Sequence, residues 1–107
     1  MKRIMLRDRG TFKARDVITT MLEMPPQNTG VTYAEIRKRD RVLDTLDRFK
    51  DERYVDLEDA DYDVLNGILQ TFPFATAKRE LRQILDDIAN AKAPEETPQL
   101  KVVEDAS

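Results

Sequence analysis

The sequence predicts a small, mainly helical domain with minor β structure: four helices, a short two-stranded β-ribbon and a disordered C-terminal tail. Apolar residues recur at spacings of three and four in several separate stretches, which is the pattern of helices buried on one face. Two further short stretches are typical of strands. The chain has 107 residues, of which 40% are hydrophobic, so it has room for a single core.

The stretch from residue 54 to residue 91 contains the most regular pattern and predicts two amphipathic helices joined by a hinge at Phe72, Pro73 and Phe74. Its two apolar stripes are Val64, Leu65, Ile68, Leu69 and Phe72, then Ala77, Leu81, Ile84, Leu85 and Ile88. Gly67 lies inside the first helix, at a cost of about 1 kcal/mol relative to alanine. A close helix crossing or an accident of packing are equal explanations for it.

The N-terminal half predicts a strand and two more helices. Ile4 and Leu6 alternate with polar residues, and their expected partner is the strand at residues 53–57. A helix over residues 14–24 presents Ala14, Val17, Ile18, Met21 and Leu22 and must end before Pro25-Pro26.

The next helix, over residues 33–49, has a capping box formed by Thr32 and Glu35. Its apolar pattern places five side chains inward: Tyr33, Ile36, Leu43, Leu46 and Phe49. Three aspartates and three arginines interleave on this helix and allow local ion pairs.

The sequence changes character after Ala91, and we predict one helical domain over residues 1–92 with a flexible acidic tail over residues 93–107. The tail contains two prolines and few large apolar residues, a composition that does not favour a packed core. Leu100, Val102 and Val103 are its apolar cluster and are candidates for docking onto a protein.

The residue types in the chain argue against an enzyme and predict no cofactor and no metal. Cys and His are both absent, which removes thiol and imidazole nucleophile pairs and the usual zinc ligands. The acidic series from Asp56 to Asp63 fails the spacing of a calcium loop, because the twelfth position counted from Asp56 is Gly67. The glycines are too few and too scattered for a phosphate loop.

The composition also predicts a protein without a membrane segment or secretory signal, located in the cytoplasm. No apolar run approaches the roughly 18 residues of a membrane helix, and the basic N-terminus lacks an apolar signal core. The absence of Cys agrees with a reducing compartment.

Charge is distributed unevenly along the chain. Residues 1–53 carry 13 Lys or Arg against 9 Asp or Glu, whereas residues 54–107 carry 5 against 12. The two halves are expected to complement each other within the molecule or between copies; nucleic acid on one side and protein on the other is the alternative. If the chain bound DNA, Arg37, Lys38, Arg39 and Arg41 would contact it, although a pI near 5.0 is far from that of typical DNA-binding domains.

Three segments, EIRKRDRVLDTLDRF, LEDADYDVL and FPFATAKRELRQILDDIANA, resemble small uncharacterised proteins of tailed-bacteriophage and prophage gene clusters. The resemblance covers residues 31–91 and differs at Phe74, where tryptophan is half expected. It implies a virus-encoded accessory or assembly role and a location in the bacterial host or the virion, and it transfers no active-site residue.

We therefore expect a non-enzymatic protein–protein interaction module, such as an assembly or virion accessory protein or an adaptor that binds a host protein. Its partner would be another protein or a second copy. The hinge residues Phe72, Pro73 and Phe74 are the predicted docking anchor, because exposed aromatic residues often serve this purpose. DNA-binding regulation through the basic helix is the alternative.

Overall fold

A computed structural model describes residues 1–24, 30–74 and 76–94, and confirms the predicted fold class. Within these residues there are four α-helices and one two-stranded antiparallel sheet. In chain order the elements are β1 (Lys2–Met5), α1 (Ala14–Glu23), α2 (Tyr33–Arg48), β2 (Tyr54–Leu57), α3 (Asp59–Thr71) and α4 (Arg79–Ala89). Most of the predicted tail, residues 95–107, lies outside the described part.

The ribbon pairs the two segments that the sequence predicted. Ile4 lies opposite Val55 in the antiparallel register, and both side chains are buried against the helices. The Leu6 N–H extends the pairing by donating to the Arg53 carbonyl oxygen at 2.8 Å. Because side chains alternate across a strand, this register gives the ribbon one face in the core.

The opposite face of the ribbon is held by one arginine. The Arg3 guanidinium donates to both carboxylate oxygens of Asp56, at 2.7 and 3.0 Å, and its central carbon lies 4.0 Å from the centroid of the Tyr54 ring. The hydrogen bond to Asp56 is the main reason that the pKa of Arg3 is raised. This network joins β1 to β2 across 53 residues of sequence.

The core lies between the ribbon and the four helices and contains residues from every element. Leu65 of α3 is fully buried, and the Tyr62 hydroxyl donates to the carbonyl oxygens of Ile88 at 2.7 Å and Ala89 at 3.1 Å. The largest fully buried side chains are Ile4, Ile18, Met21, Leu57, Leu65, Ile84, Ile88, Val42 and Val55.

Helix starts follow the local signals in part. Thr32 is the N-cap of α2, and its hydroxyl accepts a hydrogen bond from the Glu35 N–H at 3.2 Å, as predicted. The N-cap residue of α1, Lys13, makes no such side-chain hydrogen bond, and a residue further upstream in the sequence supplies the acceptor. Asp8 accepts from the Ala14 N–H at 2.9 Å, so the loop before α1 folds back onto its first turn.

The predicted inward face of α2 is wrong in its first half. Tyr33 is 71% exposed and Ile36 is 42% exposed, whereas the buried residues of α2 are Val42, Thr45 and Leu46. Each helical residue turns about 100°, so Tyr33 and Val42, nine positions apart, point in opposite directions. The helix is longer than the core beneath it, and its N-terminal half has no buried residue.

Two details of α3 and α4 also differ from expectation. Gly67 is exposed, and a Cβ atom built on it meets nothing within 4 Å, which favours an accident of packing over a close helix crossing. Ala77 is exposed and precedes α4, which begins at Arg79. The buried stripe of α4 therefore starts at Leu81.

Ion pairs join the basic half of the chain to the acidic half. Arg41 pairs with Asp61 at 3.1 Å, and Arg9 and Arg7 approach the two carboxylate oxygens of Asp87 at 3.2 and 3.7 Å. The Arg3–Asp56 pair has the same arrangement. The uneven charge of the sequence thus serves, at least in part, to hold the molecule together.

Candidate functional site

An open cavity of about 380 Å³ lies between α1 and the connection from α3 to α4. We call it the apolar groove. Its α1 side is lined by Phe12, Val17, Thr20, Met21 and Met24, and its other side by Phe72, Pro73, Phe74, Thr76 and Leu81; Thr11, Lys13 and Asp16 complete the lining. Among the lining residues that the structure describes, two of thirteen are charged, so the groove is suited to apolar side chains.

The predicted hinge residues form one wall of this groove. The Phe72 N–H donates to the Ile68 carbonyl oxygen at 2.9 Å and ends α3. The rings of Phe72 and Phe74 then approach to 4.8 Å between centroids with a tilt of 52°, an arrangement worth about 0.5–1.5 kcal/mol beyond burial. Both rings are half-buried and Pro73 is exposed. The structure therefore brings all three residues to one surface.

The other wall was not foreseen as a binding surface. The sequence assigned Val17 and Met21 to the core, and Met21 is fully buried, but Val17 is half-buried and Met24 is 52% exposed. This wall contains Val17 and Met21 of α1 and continues to Phe12 before the helix and Met24 after it. The apolar stripe of α1 gave no sign of this, because the spacing of apolar residues does not report which part of a helix face is covered.

The groove has a small but definite charge pattern. Lys13, the N-cap residue of α1, and Asp16, three positions later in its first turn, both line it and both are exposed. The N-cap residue and the third helical residue lie close together at a helix start. The groove therefore presents one positive and one negative group close together at one end, and apolar and threonine side chains over the rest.

The second predicted set of docking residues, Leu100, Val102 and Val103, lies outside the described residues.

The basic residues of α2 are used in different ways. Arg39 donates to the carbonyl oxygens of Met21, Leu22 and Met24 at 3.1–3.2 Å. Arg41 pairs with Asp61, and Arg37 donates to the Tyr33 hydroxyl at 3.1 Å. Lys38 is exposed. These contacts engage two of the four residues with other elements of the fold, which reduces what α2 offers to DNA; DNA binding itself remains a prediction.

The described residues contain no group of three or more Asp and Glu side chains arranged to hold a metal ion. The clearest effect of burial on a titratable group is at Tyr62, where desolvation raises the pKa of the phenol. Its hydroxyl is occupied by the two carbonyl oxygens at the end of α4, so its role is structural. Within the described part of the chain, no helix is long and apolar enough to cross a membrane.

Comparisons of the chain with protein-family models, curated proteins and solved structures found no match.

Proposed function

We propose that this protein is a non-enzymatic interaction module whose apolar groove binds an amphipathic helical segment of a partner protein. The observation that carries the proposal is the open groove itself, walled by the Phe72–Phe74 pair and the exposed side of α1. Aromatic and methionine side chains in such a groove are typical of helix-in-groove recognition.

The dimensions of the groove support a short helix as the bound element. The α1 side of the groove follows a helix of ten residues, which extends about 15 Å at 1.5 Å per residue. This length matches about three turns of a partner helix, which would present apolar residues at positions i, i+3, i+4 and i+7. Lys13 and Asp16 at one end complement a partner segment that carries opposite charges beside its apolar face.

The resemblance to small phage and prophage proteins supports an accessory role in assembly, in the virion or on a host protein. In each of these roles the groove would capture an apolar segment of another protein.

Site-specific cross-linking tests the proposal. A photoreactive residue is placed at Thr20 or Phe74 in the groove, and at exposed Ala34 on α2 as the matched control. We expect adducts from the two groove positions only, and each adduct should map to an apolar helical segment of the partner. Equal labelling from Ala34, or adducts that map to polar loops, would contradict the proposal.

A charged residue introduced into the groove provides a second test of the proposed function. Thr20 is exposed, and Thr20→Arg introduces a large cation without disturbing the core. Ala34→Arg is the control at an exposed helix position that does not line the groove. The captured partner should be lost with Thr20→Arg and kept with Ala34→Arg, while thermal melts of both variants stay close to that of the parent.

A further inference from the structure

We propose that the exposed side of α2 is a self-association surface, on which two copies of the chain pair in antiparallel orientation about a two-fold axis. This surface, which we call the α2 outer face, consists of Tyr33, Ile36, Arg37, Asp40, Leu43 and Asp44. None of these residues is among the described residues that line the apolar groove. The inference therefore goes beyond the proposed function and does not depend on it.

The α2 outer face exposes apolar side chains at the N-terminal end of the helix. Tyr33 is 71% exposed and Ile36 is 42% exposed, and both lie at least about 120° around the helix from the buried Val42, at 100° per residue. Ile36 and Leu43 also line an open cavity of about 210 Å³. An exposed aromatic ring beside a partly apolar cavity is typical of a surface that a partner covers.

The charges of the α2 outer face are complementary to themselves. Arg37 and Asp40 are both exposed, and neither forms an ion pair with a described residue. If two copies of α2 lie antiparallel about a point midway between these positions, Arg37 of each copy lies opposite Asp40 of the other. One helix sequence thus supplies two attractive pairs, as a two-fold symmetric interface requires.

The aromatic end of the face fits the same register. Arg37 donates to the Tyr33 hydroxyl at 3.1 Å and its central carbon lies 5.8 Å from the centroid of the Tyr33 ring, so this side chain is already held on the outer face. A hydroxyl that accepts one hydrogen bond retains its own proton to donate. In the antiparallel pair, Tyr33 lies opposite the Asp44 carboxylate of the second copy and beside Leu43, at the cavity.

The charge pattern favours a second copy over duplex DNA as the partner of this face. Asp40 and Asp44 are exposed beside Arg37, and both carboxylates would meet the phosphates of a DNA backbone with like charge. The same carboxylates are matched by Arg37 and the Tyr33 hydroxyl of a second copy.

The expected dimer is weak and sensitive to salt. From Tyr33 to Asp44 the face extends about 17 Å at 1.5 Å per residue. A single pair of helices of this length buries less than the roughly 800 Å² per partner of a standard interface. Exposed ion pairs are screened at high ionic strength, so the dimer should dissociate as salt is added.

Charge substitutions test the proposed register by sedimentation velocity at concentrations up to about 1 mM, where weak association is populated. The parent should dimerise as its concentration rises. Arg37→Asp and Asp40→Arg should each remain monomeric, because each variant places like charges opposite one another twice. An equimolar mixture of the two variants should dimerise, since both pairs in the mixed dimer are attractive.

Lys38→Glu is the matched control for Arg37→Asp. Lys38 is exposed on another side of α2, about 140° around the helix from Tyr33, and the two substitutions change the net charge equally. The Lys38→Glu variant should dimerise like the parent. Recovery of the dimer in the mixture of Arg37→Asp and Asp40→Arg shows that both variants are folded.

Several results would overturn the proposal. These are a parent that remains monomeric throughout, a dimer that both single variants retain, and a mixture that does not dimerise. A dimer that is lost with Thr20→Arg but kept with Arg37→Asp would assign self-association to the apolar groove instead. A monomeric parent that binds duplex DNA at low salt, and loses this binding with Arg37→Asp, would assign the α2 outer face to nucleic acid.

Discussion

Arg15 of α1 and Arg39 of α2 cap each other's helices. Arg15 donates to the carbonyl oxygens of Leu46, at 3.0 Å, and of Phe49 at the end of α2, and to that of Glu52, at 2.7 Å, in the turn that follows. Arg39 donates to three carbonyl oxygens at the end of α1. A cation at a helix C-terminus is favourable because it satisfies free carbonyls and opposes the helix dipole. The antiparallel helices α1 and α2 are therefore joined by arginine hydrogen bonds at both ends.

This reciprocal capping predicts that each arginine matters for stability. We expect Arg15→Ala and Arg39→Ala each to lower the free energy of unfolding by about 1.5–3 kcal/mol, the range for hydrogen bonds to charged groups. Urea unfolding followed by circular dichroism measures the change. Lysine at either position should recover only part of the loss, because an ammonium lacks the planar fork of donors.

The exposed Lys38→Ala is the matched control for this pair and should lie within about 0.5 kcal/mol of the parent. If the arginine variants behaved like Lys38→Ala, the caps would contribute nothing measurable to stability.

Two glycines are expected to respond in opposite directions to the same substitution. Gly67 is in a helix with open space around it, so Gly67→Ala should raise stability by about 0.5–1 kcal/mol. Gly10 has φ of 59° and a Cβ there would lie 3.1 Å from the Glu80 Cγ. Gly10→Ala should therefore lower stability. Thermal melts of the two variants and the parent should show a higher melting temperature for Gly67→Ala and a lower one for Gly10→Ala.

From the burial of the Tyr62 phenol we predict that the protein loses stability at alkaline pH. Burial raises its pKa above the ordinary value of about 10 for an unfolded tyrosine. Stability from the neutral phenol is fully present below the unfolded pKa and is lost as pH rises through the folded pKa, because the unfolded chain releases this proton first. The free energy of unfolding of the parent should fall more steeply above pH 10 than that of Tyr62→Phe.

The exposed Tyr33→Phe supplies the control for this titration and should retain the steep fall of the parent. At neutral pH, Tyr62→Phe should itself cost about 1 kcal/mol, since two carbonyl oxygens lose their donor. An identical alkaline slope in the parent and in Tyr62→Phe would show that Tyr62 does not govern this dependence.

The ribbon depends on the geometry of Arg3 and not on its charge alone. Arg3→Lys retains the charge but loses the two-point contact with Asp56 and the stacking on Tyr54, so we expect a loss of about 1 kcal/mol. Lys2→Arg on the same strand is the control and should be close to neutral. A double-mutant cycle between Arg3 and Asp56 measures the coupling; additive single effects would argue against the pair.

The local signals in the sequence were sufficient for most of the fold. Thr32 and Glu35 fixed the start of α2, Pro25 limited α1, and alternation around Ile4 and residues 53–57 identified the ribbon and its pairing. Each of these features depends on neighbours in sequence or on the strict alternation of a strand, which is why a single chain reveals them. The hinge at Phe72, Pro73 and Phe74 was likewise visible as a break between two apolar stripes.

The candidate site needed the tertiary structure. The three hinge residues become one wall of a groove only because α1 lies beside them, and no periodicity in the sequence reports which helix face is left uncovered. Tyr33 illustrates the same point from the other direction, since its apolar character suggested burial but the core ends before it. Sequence patterns thus determined the helices and the ribbon. They also placed Val17 and Phe72 in the apolar stripes of their helices. Only long-range packing decided which of those apolar side chains face solvent, because exposure depends on what residues far along the chain cover.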